Sequence, residues 1–264
     1  MARNGLTNIR RLIDITKKNL TPDQSFVTDL KRSIEMTENR EKRKPSKYYK
    51  PSNMNCLRAM YYTRIGQKPD EGGSSYMNWG ICNSGTDIHE RVQVAISHMS
   101  SNGFPCDYIN VGEFVNQREL KHLKVVGNNG METKLLHKAL NLSFLCDGII
   151  RYKDHYYILE IKTESGNKWY SREGVDPSHF RQAICYSTAL EINDVLFLYI
   201  NRDIFDFKAY LYTVTDNMKN DLVGYIEECD GYVKRLVAPP KPEDVSKKTC
   251  EYCNYKDSCR KELG

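Results

Sequence analysis

Residues 142–163, LSFLCDGIIRYKDHYYILEIKT, narrow the fold more than any other stretch of the chain. They read as two β-strands and a tight turn. The first strand, Ser143 to Arg151, is β-branched and apolar and carries one acid, Asp147, midway along it. Tyr152-Lys153-Asp154 forms the turn. The second strand, His155 to Lys162, is aromatic and β-branched and ends in Glu160-Ile161-Lys162. Side chains alternate along a strand, so Glu160 and Lys162 share one face and Ile161 takes the other. Asp147 and the Glu-x-Lys end can converge on one spot. Two acids and a lysine in an apolar hairpin are costly to bury unpartnered, and a divalent cation would supply the partner.

The 264 residues suffice for one sizeable α/β domain with appendages or for two small domains. Lys and Arg number 39 against 34 Asp and Glu, a mild basic bias compatible with an anionic partner. No apolar run approaches the roughly 20 residues of a membrane span, so no membrane partner is expected. The first twenty residues have no continuous apolar core followed by small residues, unlike a secretory signal. Nine cysteines without such a signal read as reduced thiols or metal ligands, and a cytoplasmic location is expected.

Helices are predicted over 7–20 and 24–40, followed by the basic run Arg40 to Lys50 and a turn into a short helix starting near Cys56. Asp70 to Ser75 reads as a loop. Ile81 to Met99 is a helix whose Ile88, Val92, Ala95, Ile96 and Met99 form a buried stripe, with His89 off it. Residues 109–126 suggest a strand or hairpin, followed by a loop at 127–130. Glu164 to Asp176 reads as a loop and Ser178 to Ile192 as a helix. Residues 194–200 form an apolar central strand and 207–214 another strand. Asp216 to Val237 is a helix, and a proline-rich connector leads to a Cys-rich tail.

An acid-x-Lys triplet alone says little, because Asp29-Lys31, Glu119-Lys121, Glu132-Lys134 and Asp206-Lys208 have it too. Glu160-Lys162 is set apart by ending an apolar strand one turn after an Asp-Gly. Two further stretches bear on it. Gly85-Thr86-Asp87-Ile88-His89 lies in a helix, and Gln182 and Tyr186 in FRQAICYSTAL stand one above the other on a helix face. In the tail, Cys250, Cys253 and Cys259 are spaced C-x2-C-x5-C. Three such thiols call for a fourth ligand, for which Cys56 is the candidate, and from the residues alone zinc is the default metal.

The order G-T-x-x-H, D-G, E-x-K, Q-x-x-x-Y between Gly85 and Tyr186 resembles the motif series of the RecB-like branch of the PD-(D/E)XK nucleases. One cysteine before those motifs and three after them resembles the iron–sulfur members of that branch, the AddB-type nuclease domains and the CRISPR-associated RecB-like exonucleases. The resemblance covers roughly residues 50–260. It implies an α/β fold, a mixed central sheet flanked by helices, in a nuclease domain over 49–264, while residues 1–48 lie outside the resemblance as an N-terminal helical extension. It implies a [4Fe–4S] cluster on Cys56, Cys250, Cys253 and Cys259 that ties the chain ends together. It further implies Mn²⁺ or Mg²⁺ held by His89, Asp147, Glu160 and the Ile161 carbonyl. Lys162 would position or deprotonate the attacking water, and Gln182 and Tyr186 would place the phosphate or water at the mouth of the site.

The expected activity is an exonuclease acting on single-stranded or end-containing DNA in a bacterial, archaeal or phage-infected cell. Its working partners would be a helicase, a recombinase or CRISPR adaptation proteins, since the chain has no G-x-x-x-x-G-K-[ST] motif of its own. Two alternatives stay open: a nucleic-acid-binding adaptor of the same fold with weak cleavage, and a zinc-stabilised structure-specific endonuclease.

Overall fold

A computed structural model describes residues 21–38, 45–70, 75–240, 242–243 and 245–262. The helix predicted over 7–20, the start of the basic run at 40–44 and the loop residues 71–74 lie outside the described residues. The chain divides into two compact units, Met1–Arg43 with Glu71–Asn83, and Lys44–Asp70 with Ser84–Gly264.

The first unit contains α1 (Pro22–Glu38), which buries no side chain of its own. Glu35 accepts the backbone N–H of Tyr76 at 3.2 Å, and the Lys31 ammonium lies 4.8 Å from the centre of the Tyr76 ring.

The second unit holds α2 (Leu57–Arg64), which starts at Cys56, and most of α3 (Tyr76–Ser97). There follow β1 (Cys106–Ile109), α4 (Val111–Gln117), β2 (Leu123–Asn129), β3 (Glu132–His137), β4 (Leu142–Cys146), β5 (Gly148–Tyr152) and β6 (His155–Glu164). Next come α5 (Gly166–Tyr170), α6 (Phe180–Leu190), β7 (Asp194–Asn201), β8 (Asp206–Thr213), α7 (Asp216–Arg235), α8 (Lys247–Glu251) and α9 (Lys256–Glu262). The central sheet is mixed, in the order β1-β5-β6-β7-β8, with β6 and β7 parallel and the other pairs antiparallel. The parallel pair needs a crossover, which α5 and α6 provide. A second, antiparallel sheet has the order β2-β3-β4.

Both faces of the central sheet are covered, so β6 and β7 are apolar on both parities. Leu159, Ile161 and Ile200 pack against Val92 of α3, flanked by Ile88, Ile96 and Met99. On the other face Ile158, Val195 and Phe197 meet Ala183, Ala189 and Leu190 of α6 and Ile226 of α7. Helices therefore flank a mixed sheet, as expected.

Several local readings are corrected. The strand expected over 143–151 is two strands in two different sheets, parted at Asp147. Continuous apolar character marks both pieces as buried but cannot reveal that they face different partners. Tyr152 belongs to β5 and pairs with His155, so the turn is only Lys153-Asp154, both left-handed (φ 49° and 62°) as a two-residue hairpin requires. Within 109–126 the segment VGEFV is helical, because the Asn110 side chain accepts the Glu113 N–H at 3.1 Å and caps it. Residues 127–129 continue β2, and α5 interrupts the loop expected over 164–176. Ala95 is exposed, not part of the buried stripe.

Candidate active site

The site forms where the two sheets part company. β5 pairs with β6 only as far as Gly148, opposite Leu159. Beyond that point the ladder ends, and the Ile161 N–H on the freed edge of β6 is taken by Asp147 Oδ2 at 2.6 Å. In a strand the N–H and C=O of one residue leave on the same edge, so the Ile161 carbonyl emerges on Asp147's side. The Asp147 backbone is fixed as well, since Gln93 Nε2 and the Tyr108 hydroxyl both donate to its carbonyl at 2.6 Å. Gly148 is required by that arrangement: a Cβ there would lie 2.6 Å from Tyr108 Cε2.

On the α6 face, Lys162 Nζ is bonded to Glu160 Oε1 and donates to Gln182 Oε1 at 3.2 Å. Gln182 Nε2 donates to Glu160 Oε1 at 2.8 Å and approaches the Tyr186 hydroxyl at 2.7 Å. Tyr186, itself buried, donates to the Leu145 carbonyl at 3.1 Å, which ties α6 to β4 just before Asp147. Glu160 is only 2% exposed, and its Oε2 is buried without a hydrogen-bond partner among the described residues.

On the opposite face α3 brings His89 in, with Nδ1 3.8 Å from Asp147 Oδ2. Gly85, one turn earlier, packs against β6, where an added Cβ would come within 3.2 Å of Thr163 Oγ1. Glu132, at the start of β3, completes a group: one donor atom each from His89, Glu132 and Asp147 lie within 4.8 Å of one another.

Burial dominates the electrostatics. It pushes the Asp147 carboxyl well above its ordinary range, and the charge of Glu160 pushes it further, while Lys162 and the Ile161 N–H oppose the rise. Burial also raises Glu160, against the pull of Lys162 and Gln182. Burial would lower Lys162, but the charges of Glu160 and Asp147 outweigh it and hold the ammonium protonated. His89 is pushed down to about 4 by burial and by Lys162, which leaves a neutral imidazole able to ligate.

The geometry thus gathers His89, Asp147, Glu160, Lys162, Gln182 and Tyr186 around the freed edge at Ile161. Sequence reasoning missed Glu132, whose acid-x-Lys triplet looked like any other. It also missed the supports Gln93 and Tyr108, and His179. That imidazole stacks on Phe197 and Tyr199 and bonds the Tyr199 hydroxyl through Nδ1 at 3.0 Å. The only sequence signal for His179 was its position one turn before Gln182.

The cysteines gather elsewhere in the same unit. Cys56 caps α2, and Cys250, Cys253 and Cys259 lie in the tail, all as free thiols. Burial raises the Cys56 and Cys253 thiols, and the neighbouring cysteines of the set add to that rise. Protein contacts clasp the tail independently. Arg58 bonds Glu262 Oε2 at 2.6 Å and the Pro239 carbonyl at 2.7 Å, the Tyr62 hydroxyl bonds Glu262 at 2.6 Å, and Asp70 caps α9 through the Asp257 N–H at 2.6 Å.

No family model matches the chain, and no curated protein matches it. Solved structures are similar at low identity, among them the following three. "Crystal structure of SSO0001" is 14% identical, with 88% of this chain and 96% of that one covered and a TM-score of 0.44. An alkaline exonuclease (LHK-Exo) from Laribacter hongkongensis is 10% identical over 78% of this chain and 95% of that one, TM-score 0.44. The structure of LHK-Exo in complex with dAMP is 12% identical over 73% and 92%, TM-score 0.40. No described helix is long and apolar enough to cross a membrane.

Proposed function

We propose that this chain is a metal-dependent deoxyribonuclease that hydrolyses phosphodiester bonds at single-stranded or frayed DNA ends. The observation that carries the reading is Glu160. One of its oxygens is held by Lys162 and Gln182, and the other is buried without a hydrogen-bond partner among the described residues, beside a second buried acid. Such an oxygen is costly unless a cation or proton completes it. Carboxylates with one neutral imidazole suit Mn²⁺ or Mg²⁺, held by His89, Asp147, Glu160 and the Ile161 carbonyl. When bound, the ion supplies an acidified water and polarises the phosphate.

The chain's own residues do the rest. Asp147 is held in register by the Ile161 N–H, and Glu160 by Gln182. Lys162 offsets charge at the scissile phosphate and guides the attacking water's proton. Tyr186 acts through Gln182, because its hydroxyl is committed to Gln182 and Leu145. The four thiols of Cys56, Cys250, Cys253 and Cys259 are a donor set for a [4Fe–4S] cluster with a structural role, closing the domain over 49–264.

The test is cleavage of linear and circular single-stranded DNA in Mn²⁺ by anaerobically purified protein, beside Lys162→Ala. Digestion of the linear substrate alone, by the unaltered protein alone, is expected. Cutting of the circle would move the reading to an endonuclease. Binding of either DNA without cutting would move it to an adaptor.

A further inference from the structure

We propose that Glu132 is a direct ligand of the same metal ion, an acid delivered by the small sheet and not by the hairpin that carries Asp147 and Glu160. The inference rests on the metal-dependent reading above and adds a residue to it.

The register of the small sheet places the acid. Thr133 pairs with Cys146 at the end of the β3–β4 ladder, and Glu132 and Asp147 are the next residues beyond that pair. The His89 imidazole faces the same two acids, and the three donor atoms lie within 4.8 Å of one another. Donors that each stand about 2.1 Å from one ion are separated by no more than about 4.2 Å. The observed spread is thus one small adjustment from coordination.

A second observation, on another strand, also asks for a cation. Glu160 Oε2 is buried and has no hydrogen-bond partner among the described residues, although Lys162 stands beside it.

The experiment is a Mn²⁺ titration of the metal-free protein, followed by loss of the free-ion paramagnetic resonance signal, for wild type, Glu132→Gln and Asp147→Asn. Thermal midpoints are taken in EDTA and in Mn²⁺. Wild type should take up one ion per chain, and Glu132→Gln should weaken that binding by about tenfold or more, at least what loss of a supporting contact does. Glu132→Gln should keep a cooperative thermal transition in EDTA, yet gain less from Mn²⁺ than wild type does. Unchanged Mn²⁺ affinity in Glu132→Gln, with loss in Asp147→Asn, would overturn the role of Glu132 alone. Failure of the wild type to bind Mn²⁺ would overturn the metal-dependent reading along with it.

Discussion

Gly148→Ala tests how the carboxylate of Asp147 is placed. Gly148 is not among the glycines with positive φ, so alanine fits its backbone and the penalty comes from contact alone. The new Cβ would lie 2.6 Å from Tyr108 Cε2 and 2.9 Å from its Cζ and hydroxyl, inside any real approach. The Tyr108 ring must swing away, which breaks its 2.6 Å bond to the Asp147 carbonyl. Overpacking of this kind costs about 1–3 kcal/mol, and a lost hydrogen bond about 1 kcal/mol more. A loss of about 2–4 kcal/mol is expected in urea unfolding, with reduced cleavage as Asp147 shifts. Tyr108→Ala in the same chain removes the obstacle. The double variant should therefore be more stable than the summed single losses, by about 2 kcal/mol of coupling. If Gly148→Ala unfolds with the wild type, or if the two losses simply add, the contact with Tyr108 is not what demands glycine.

Other outcomes follow from the same geometry. Lys162→Ala should lower cleavage by about 10²-fold or more while DNA retention in a filter-binding assay holds. His179 is pushed from its ordinary 6.5 down to about 4, by burial first and by the Lys162 charge second. Between those values the unfolded chain takes up a proton that the folded chain refuses, so stability falls as pH drops. From pH 7 to 5 the loss assigned to this imidazole is about 2 kcal/mol, and His179→Gln should flatten that part of the urea-midpoint profile. Cys250→Ser should lower the thermal midpoint and the visible absorption of anaerobically purified protein together. A colourless variant of full stability would refute the structural cluster.

What was legible in the sequence was local. Glu160 and Lys162 share a face because strands alternate, and the short Lys153-Asp154 turn returns β6 beside β5, so three of the charged groups could be placed from neighbouring residues. The helix over Phe180–Leu190 was legible from its own residues, which stacked Gln182 on Tyr186. Glu132 was not, because only the pairing of β3 with β4 brings it near Asp147, and nothing in either strand names its partner. The break at Asp147 was hidden for a related reason: apolar residues on both sides of it are buried, but in different sheets. The helix after Asn110 was hidden by a β-branched composition that its cap overrode.

The clasp between α2 and the tail joins residues some 200 positions apart, as Arg58 and Glu262 do. Closing so long a loop from the unfolded chain is entropically dear, so contacts of this kind form only after the intervening sheet has brought the ends together. Interactions that arise after the rate-limiting step leave the folding rate nearly untouched and act on the rate of opening. Loosening Arg58 or Glu262 would therefore shorten the lifetime of the native state and leave its rate of formation almost unchanged.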